Sequence, residues 1–260
     1  MKNTFYKIES KAFSRDLRFA LVSDLHAQDY KAPLALLKEA KPDYILLGGD
    51  IFEALDGSHS ERNKKIFPFL EEVAKIAPSF YCTGNHEDGA AHSELKGVKS
   101  FRGRGHRYSD DAMNVIKNSG VRFLLDSYEI YDGIAFGGLA SGLVNDNGEP
   151  CLDFLSRYAE LNEPKVLISH HPEYFEKYIK QLPIDIVFSG HAHGGQWSFF
   201  GKGVFAPGQG LFPKYTAGVY DGRMVVSRGL KKTKLPPRIF NPCEIVILDV
   251  IKDDKRGIYQ

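Results

Sequence analysis

The sequence predicts an α/β fold arranged as an α/β/β/α sandwich, two mixed sheets face to face with helices outside, and three observations point there. The first third alternates short apolar strands with helix-patterned segments, the pattern of a parallel α/β sheet. The later part is β-rich and carries two hairpin signals, Asp132-Gly133 and Asp221-Gly222. Strand after strand ends in glycine or serine followed by a metal-ligand type of residue, and open α/β sheets collect functional groups beyond the carboxyl ends of their strands.

Taken in order, Leu17 to Ser23 is a β-like run that leads directly into Asp24. Pro33 to Ala40 reads as a helix with proline near its start, closed by Pro42. Tyr44 to Leu47 is a buried strand that ends in Gly48-Gly49-Asp50. Glu61 to Ile76 has helical periodicity, with Ile66, Phe69, Leu70 and Val73 on one side. After Pro78, Phe80 to Thr83 is a third strand ending in Gly84-Asn85-His86-Glu87. Residues 88–108, rich in Gly, Lys, Arg and His, form a long loop or insertion expected to face the substrate. Asp110 to Asn118 is helical, and Gly120 fits its C-terminal cap. Short strands fill Val121 to Ala140, and Asp153 to Leu161 is helical. Lys165 to Ser169 is a buried strand ending in His170-His171-Pro172, and Ile184 to Ser189 is another, ending in GHAHGGQ. No fixed-period repeat and no Pro-, Gly- or Ser-rich linker interrupts the chain, so one domain over residues 1–260 is expected.

The composition is that of a soluble globular protein, 43% hydrophobic and 26% charged, which supports a sizeable core. A formal net charge of +1 gives no sign of an obligatory nucleic-acid partner, and no protein partner is evident. Cys82, Cys151 and Cys243 are too few and too far apart for a disulfide scaffold or a cysteine-rich zinc site, which fits a reducing, cytoplasmic setting. The charged N-terminus lacks an apolar h-region, and no run is apolar enough for a transmembrane segment.

The strand ends together supply Asp24, His26, Asp50, Asn85, His86, His170, His191 and His193. Carboxylates, imidazoles and an amide oxygen suit two borderline-soft divalent ions, of which manganese, iron and zinc are the candidates. Asp24 and His26 lie two apart and share a face in extended chain, and His191 and His193 repeat that spacing. Asp50 is a single carboxylate suited to bridging, because two cations ~3.5–4 Å apart need negative charge between them.

These residues resemble the signature blocks of the calcineurin-like metallophosphoesterase superfamily. SDLH at 23–26, GGD at 48–50, GNHE at 84–87, SHHP at 169–172 and GHAH at 190–193 occur in the family's order. The resemblance implies the same α/β/β/α sandwich and two ions. One ion would be held by Asp24, His26, Asp50 and His193, the other by Asp50, Asn85, His170 and His191. It also implies that His170, two residues before the proline, is the ligand rather than His171, and that His86 is not a ligand but faces the phosphoryl group. Either Glu87 or Asp56 is expected to orient His86. The longer block GHAHGGQ, with Val226 to Leu230, Arg238, Pro242 and Glu244, resembles a bacterial phosphodiesterase-like branch, some of whose relatives act on lipid-linked sugar nucleotides. The chain departs from that branch at Lys231, where glycine is usual, and at Pro242-Cys243, where two prolines are usual.

The resulting expectation is a dinuclear metal-dependent hydrolase that acts on a phosphate-ester small molecule or a nucleotide-linked substrate, most readily a phosphodiester. Pyrophosphatase action on a nucleotide-linked or lipid-linked substrate, phosphomonoesterase action and a non-catalytic metal-binding scaffold are the competing readings. Arg102, Arg104, His106 and Arg107 are candidates for a second anionic group, with Phe101 and Tyr108 flanking them. Trp197 and Phe199 alternate beyond the last block as candidate pocket or core residues.

Overall fold

In the computed structural model, which describes residues 1–90, 106–199, 202–232 and 237–253, the apolar runs become the inner strands of two sheets. In chain order, β1 (Lys2–Ser10) and β2 (Leu17–Val22) precede α1 (Lys31–Ala40), β3 (Tyr44–Gly48), α2 (Ser60–Lys64), α3 (Pro68–Ala74) and β4 (Ser79–Cys82). Then come α4 (Asp110–Asn118), β5 (Arg122–Phe123), β6 (Ser127–Tyr131), β7 (Ile134–Leu139), α5 (Leu152–Ala159), β8 (Lys165–Ser169) and β9 (Ile186–Ser189). Two small antiparallel ribbons follow, β10 (Ser198–Phe199) with β11 (Lys202–Gly203) and β12 (Phe205–Ala206) with β13 (Gly210–Leu211). The last strands are β14 (Gly218–Tyr220), β15 (Met224–Val226) and β16 (Glu244–Lys252).

The first sheet has the order β1-β16-β2-β3-β4-β5 and the second β14-β15-β9-β8-β7-β6. Both are mixed. Only the β16–β2 pairing is antiparallel in the first sheet, and in the second the edge strands β6 and β14 run against their neighbours. Period-two alternation sorts the side chains into layers. Phe19 and Leu21 of β2 and Leu46 of β3 face Phe136, Ile168 and Phe188 of the other sheet. Ala20, Val22, Ile45 and Leu47 point the other way, onto Leu37, Phe69, Leu70, Val73 and Ile116 of the helices. Phe154, Leu155 and Tyr158 of α5 cover the outer face of the second sheet. The expected α/β/β/α sandwich is the observed fold. Because strands buried on both faces are apolar, β2, β3, β4, β8 and β9 read as apolar runs, broken only by Arg18 and by polar residues at strand ends.

One segment differs from the sequence reading, and another was given no element in it. The helix expected over Glu61 to Ile76 is two helices, since Pro68 has no N–H to continue α2 and instead starts α3. Its apolar stripe of Ile66, Phe69, Leu70 and Val73 is nonetheless buried as expected. The polar N-terminal segment is a nine-residue edge strand paired in parallel with β16, from Lys2 opposite Glu244 to Ser10 opposite Lys252. Nothing in its own composition announces a partner more than 240 residues away. Both hairpin signals are realised: Asp132 and Gly133 have φ of 51° and 73°, and Asp221 and Gly222 have 49° and 66°. Helix α4 is capped by Ser109, whose side chain accepts from the Ala112 amide, and Gly120 follows its end at φ 85°.

Among the described residues, no helix is long and apolar enough to cross a membrane. Much of the 88–108 loop, including Phe101, Arg102 and Arg104, lies outside the described residues. At its ends, the Tyr108 hydroxyl donates to Asp88 at 2.7 Å and His106 Nδ1 lies 3.0 Å from the same carboxylate.

Phe80 and Phe136 join the two sheets, with stacked rings 3.8 Å apart at an interplanar angle of 10° and both fully buried. Phe136→Ala is expected to destabilise the fold by about 3–5 kcal/mol in denaturant unfolding. A loss below about 1 kcal/mol would show that the sheets do not depend on this contact.

Candidate metal centre

The carboxyl ends of β2, β3, β4, β8 and β9 converge on one end of the sandwich, and the candidate residues leave the strands there. Five of them, Asp24, His26, Asp50, His191 and His193, have φ between 47° and 64°. Non-glycine residues seldom adopt this left-handed region, and a cluster of them marks backbone held by its surroundings at a functional site. The holding contacts are visible. The amides of Asp24 and His26 donate to the carbonyls of Gly49 and Asp50, at 3.0 and 2.8 Å, and the Gly190 amide donates to the His170 carbonyl at 3.0 Å. Two glycines allow the close approach. A Cβ on Gly84 would lie 2.3 Å from Asp50 Oδ1, and one on Gly229 would lie 2.6 Å from Asp24 Oδ2.

The ligand-type atoms fall into groups within 4.8 Å of one another: Asp24, His26 and His193 in one, and Asp50, His170 and His191 in another. Asp50 lies between them, with Oδ2 3.6 Å from His26 Nε2 and 3.3 Å from His170 Nε2. His170 Nδ1 donates to the Gly48 carbonyl at 2.7 Å, which leaves Nε2 as the nitrogen free to meet a metal. The other Asp50 oxygen accepts from the His86 amide at 2.9 Å. Asp24 Oδ2, His26 Nε2, Asp50 Oδ2, Asn85 Oδ1, His170 Nε2 and His191 Nε2 are all buried without a hydrogen-bond partner. Buried polar atoms are normally satisfied, so this many orphans at one place needs a compensating species. Divalent cations fit that need and this mixed oxygen and nitrogen donor set.

The electrostatics agree. Burial works against the Asp50 charge, yet His170, His86 and His26 around it hold its carboxyl well below the usual carboxylate range. Burial also opposes a charged His170, but the adjacent Asp50 outweighs it and pushes His170 up to about 10, a proton standing where positive charge is wanted. Burial pushes His191 and His193 well below the usual imidazole range, helped by His171 beside the first and by His26 and Arg238 beside the second. Neutral imidazoles are the form that coordinates metal.

His86 forms a further group of ligand-type atoms with His26 and Glu53, its ring centroid 4.2 Å from that of His26. Its Nδ1–H donates to Glu53 Oε2 at 2.7 Å, so Nε2 is the ring nitrogen left for other work. Arg62 lies 3.1 Å from the other Glu53 oxygen and also donates to the His26 carbonyl at 2.9 Å. Burial opposes the Glu53 charge, but the bonds from His26 and His86 hold its carboxyl well below the usual range. The orienting residue is therefore Glu53 and neither Glu87 nor Asp56. Asp56 caps the Ser58 amide at 2.8 Å. Glu87 is fully buried and accepts from the amides of Asp50, Ile51, Phe52 and Gly84, at 2.6–3.0 Å, and from the Tyr81 hydroxyl at 2.9 Å. It holds the Asp50 loop to the β4 loop. Glu53 had a signal in the sequence, three residues beyond Asp50, but an acidic residue in a loop is ordinarily read as solvated.

His171 is turned aside, with Nε2 2.9 Å from Ser141 Oγ and Nδ1 3.3 Å from Glu173. His171, Glu173 and His191 form a further group of ligand-type atoms, which shares His191 with the Asp50 group. The Trp197 indole donates to the Pro237 carbonyl at 3.0 Å, and Trp197 pairs with Ile239, so it braces the 237–239 segment. Two cations from the late segment, Lys231 and Arg238, reach the centre. Lys231 Nζ lies 3.4 Å from His26 Nδ1, and Arg238 Nη2 lies 3.4 Å from His193 Nδ1.

Comparison with known proteins places this centre in context. The calcineurin-like phosphoesterase family matches residues 17–195. The uncharacterized metallophosphoesterase YkuE of Bacillus subtilis is 27% identical over 240 residues, 86% of this chain and 76% of that protein. The phosphodiesterase YaeI of Escherichia coli is 29% identical over 202 residues, 74% of this chain but 64% of that protein's length. The UDP-2,3-diacylglucosamine pyrophosphatase LpxG of Chlamydia muridarum is 24% identical over 281 residues, covering 89% of this chain and 83% of that protein. With the matched region spanning every strand end that carries a ligand-type residue, the chain belongs to the calcineurin-like phosphoesterase family.

Proposed function

We propose that this protein hydrolyses phosphate esters with two divalent ions and that phosphodiesters are its preferred class. The observation that carries the reading is the set of orphaned, buried ligand atoms gathered around Asp50, with a carboxylate-held histidine beside them. In this reading Asp24, His26, Asp50 and His193 hold one ion, and Asp50, Asn85, His170 and His191 hold the other. When bound, such a pair supplies Lewis-acid polarisation of the phosphoryl group and acidifies water. The chain's own residues do the rest. Asp50 keeps negative charge between the sites. His86, locked by Glu53 through Nδ1, directs Nε2 to the departing or non-bridging oxygen, where it donates a hydrogen bond or proton. A scaffold without turnover has no use for this second arrangement, which favours the enzymatic reading.

The extended GHAHGGQ block supports the diester preference, as does the similarity to YaeI, itself named a phosphodiesterase. A second reading, pyrophosphatase action on a nucleotide-linked or lipid-linked substrate, draws support from the similarity to LpxG and from Lys231 and Arg238 at the centre.

With manganese present, bis(nitrophenyl) phosphate is expected to turn over faster than nitrophenyl phosphate. A reproducible preference for the monoester would remove the diesterase reading. His86→Ala is expected to keep its metal and lose about 10²–10⁴-fold in turnover, the usual scale of general acid–base help. Glu53→Gln should lose less, and adding it to His86→Ala should cost little more, because the two act as a unit. If His86→Ala loses metal instead, His86 is a ligand.

A further inference from the structure

His191 belongs to two groups of ligand-type atoms, one with Asp50 and His170 and the other with His171 and Glu173. An imidazole has two ring nitrogens, so it can meet an ion through one and donate a hydrogen bond through the other. In the second group the Glu173 carboxylate is the acceptor at hand, within 4.8 Å of a His191 ring nitrogen.

The surroundings hold Glu173 in this place. Its Oε1 lies 3.3 Å from His171 Nδ1, and His171 is fixed in turn by Ser141 Oγ, 2.9 Å from its Nε2. The His171 ring packs against His191 and Tyr174, with centroids 4.4 and 4.8 Å away, and the Tyr174 hydroxyl accepts from the Gly142 amide at 3.0 Å. Gly208, between β12 and β13, leaves room for the carboxylate, since a Cβ there would lie 2.1 Å from Glu173 Oε1. Glu173 Oε2 remains buried without a hydrogen-bond partner. A buried carboxylate oxygen without a donor is costly, and the His191 ring is within reach to supply one. Burial opposes the Glu173 charge, but His171 and His191 beside it hold the carboxyl down at about 2. The Asp24 group has a matching feature, since Glu53 Oε1 lies 3.7 Å from His26 Nδ1. Each group thus contains an imidazole with a carboxylate near it other than Asp24 or Asp50.

We propose that Glu173 is a positioning residue for His191: with an ion bound by Asp50, Asn85, His170 and His191, Glu173 accepts a hydrogen bond from the His191 ring and sets the affinity of that site alone. A carboxylate partner fixes the tautomer and orientation of a ligating imidazole and strengthens it as a donor to the metal, an effect of about 10–100-fold in metal affinity. The inference rests on the two-ion reading of the same centre. Selectivity between the ions separates this role from a general electrostatic one. Two ions ~3.5–4 Å apart feel the Glu173 charge through space to a similar extent, whereas a bond to His191 reaches only the ion that His191 holds.

Manganese titration of the full chain by calorimetry, with anomalous peaks at the manganese edge to locate each ion, provides the test. The parent protein should fill both sites. Glu173→Gln exchanges a charged acceptor for a weaker, neutral one and should lower the affinity of one site by about 10–100-fold. The weakened peak should be the one flanked by Asn85, His170 and His191. Gly208→Ala keeps the carboxylate but sets a methyl group against its Oε1, and it should weaken the same site. Gly208 is exposed in a short loop, so this variant carries the comparison if Glu173→Gln does not fold. Glu176→Gln removes an exposed carboxylate paired with Lys214 at 2.8 Å and should keep both affinities. Unchanged manganese affinity at both sites in folded Glu173→Gln, or equal weakening at both, overturns the positioning role. A parent protein that binds a single manganese has a different signature: it removes the two-ion reading, and the role of Glu173 with it.

Discussion

A carboxylate in a dry space between two sheets is the constraint from which the rest of this structure follows. Asp50 is about 1% exposed and carries its charge at the end of β3, where burial alone would protonate it. It stays ionised because imidazoles from three other strand ends surround it. The loop that presents it is held by Glu87, whose carboxylate gathers the amides of Asp50, Ile51, Phe52 and Gly84. Burial and repulsion from Asp50 push the Glu87 carboxyl up to about 7, while the Phe52 and Gly84 amides pull it back. Two like charges so close in a water-poor site are stable only if positive charge lies between or beside them. Cations at the Asp24 and Asp50 groups meet that condition and satisfy the orphaned ligand atoms together.

The sandwich serves this arrangement by placing ligand-type residues from both sheets on rigid strand ends. Asp24, Asp50 and Asn85 come from the first sheet, and His170, His191 and His193 from the second. Contacts across the gap then tie the sheets together at the centre: His170 bonds to the Gly48 carbonyl, and the His191 amide bonds to Asp24 Oδ1 at 3.1 Å. The left-handed backbone at Asp24, His26, Asp50, His191 and His193 is the local cost of turning each ligand-type side chain inward soon after its strand. The stacked Phe80 and Phe136 below keep the inter-sheet distance on which the ligand geometry depends.

What was legible in the sequence is what is encoded locally. The apolar runs of β2, β3, β4, β8 and β9 announce buried strands, and the residues at their ends announce ligands because each follows its strand directly. The Asp-Gly pairs at 132–133 and 221–222 specify turns through their own conformational preferences. The residues that were missed, misread or named without a role depend on distant partners. β1 is a strand because β16 offers it an edge. Glu53 looks like a solvated acid until the fold brings His86 to it, and Glu87 looks like a partner for its neighbour His86 although its carboxylate turns back onto the backbone. Lys231 and Arg238 sit some 40 residues past the last ligand block, and only the fastening of their segment to Ser23 and His193 brings them to the centre.

Asp50 would thus join two cation sites into one centre. Crystals of the protein soaked in manganese, measured at the manganese absorption edge, test it most directly. Two anomalous peaks about 3.5–4 Å apart are expected with an Asp50 oxygen between them, one flanked by Asp24, His26 and His193 and the other by Asn85, His170 and His191. A single peak, or two peaks with no Asp50 oxygen between them, would contradict it.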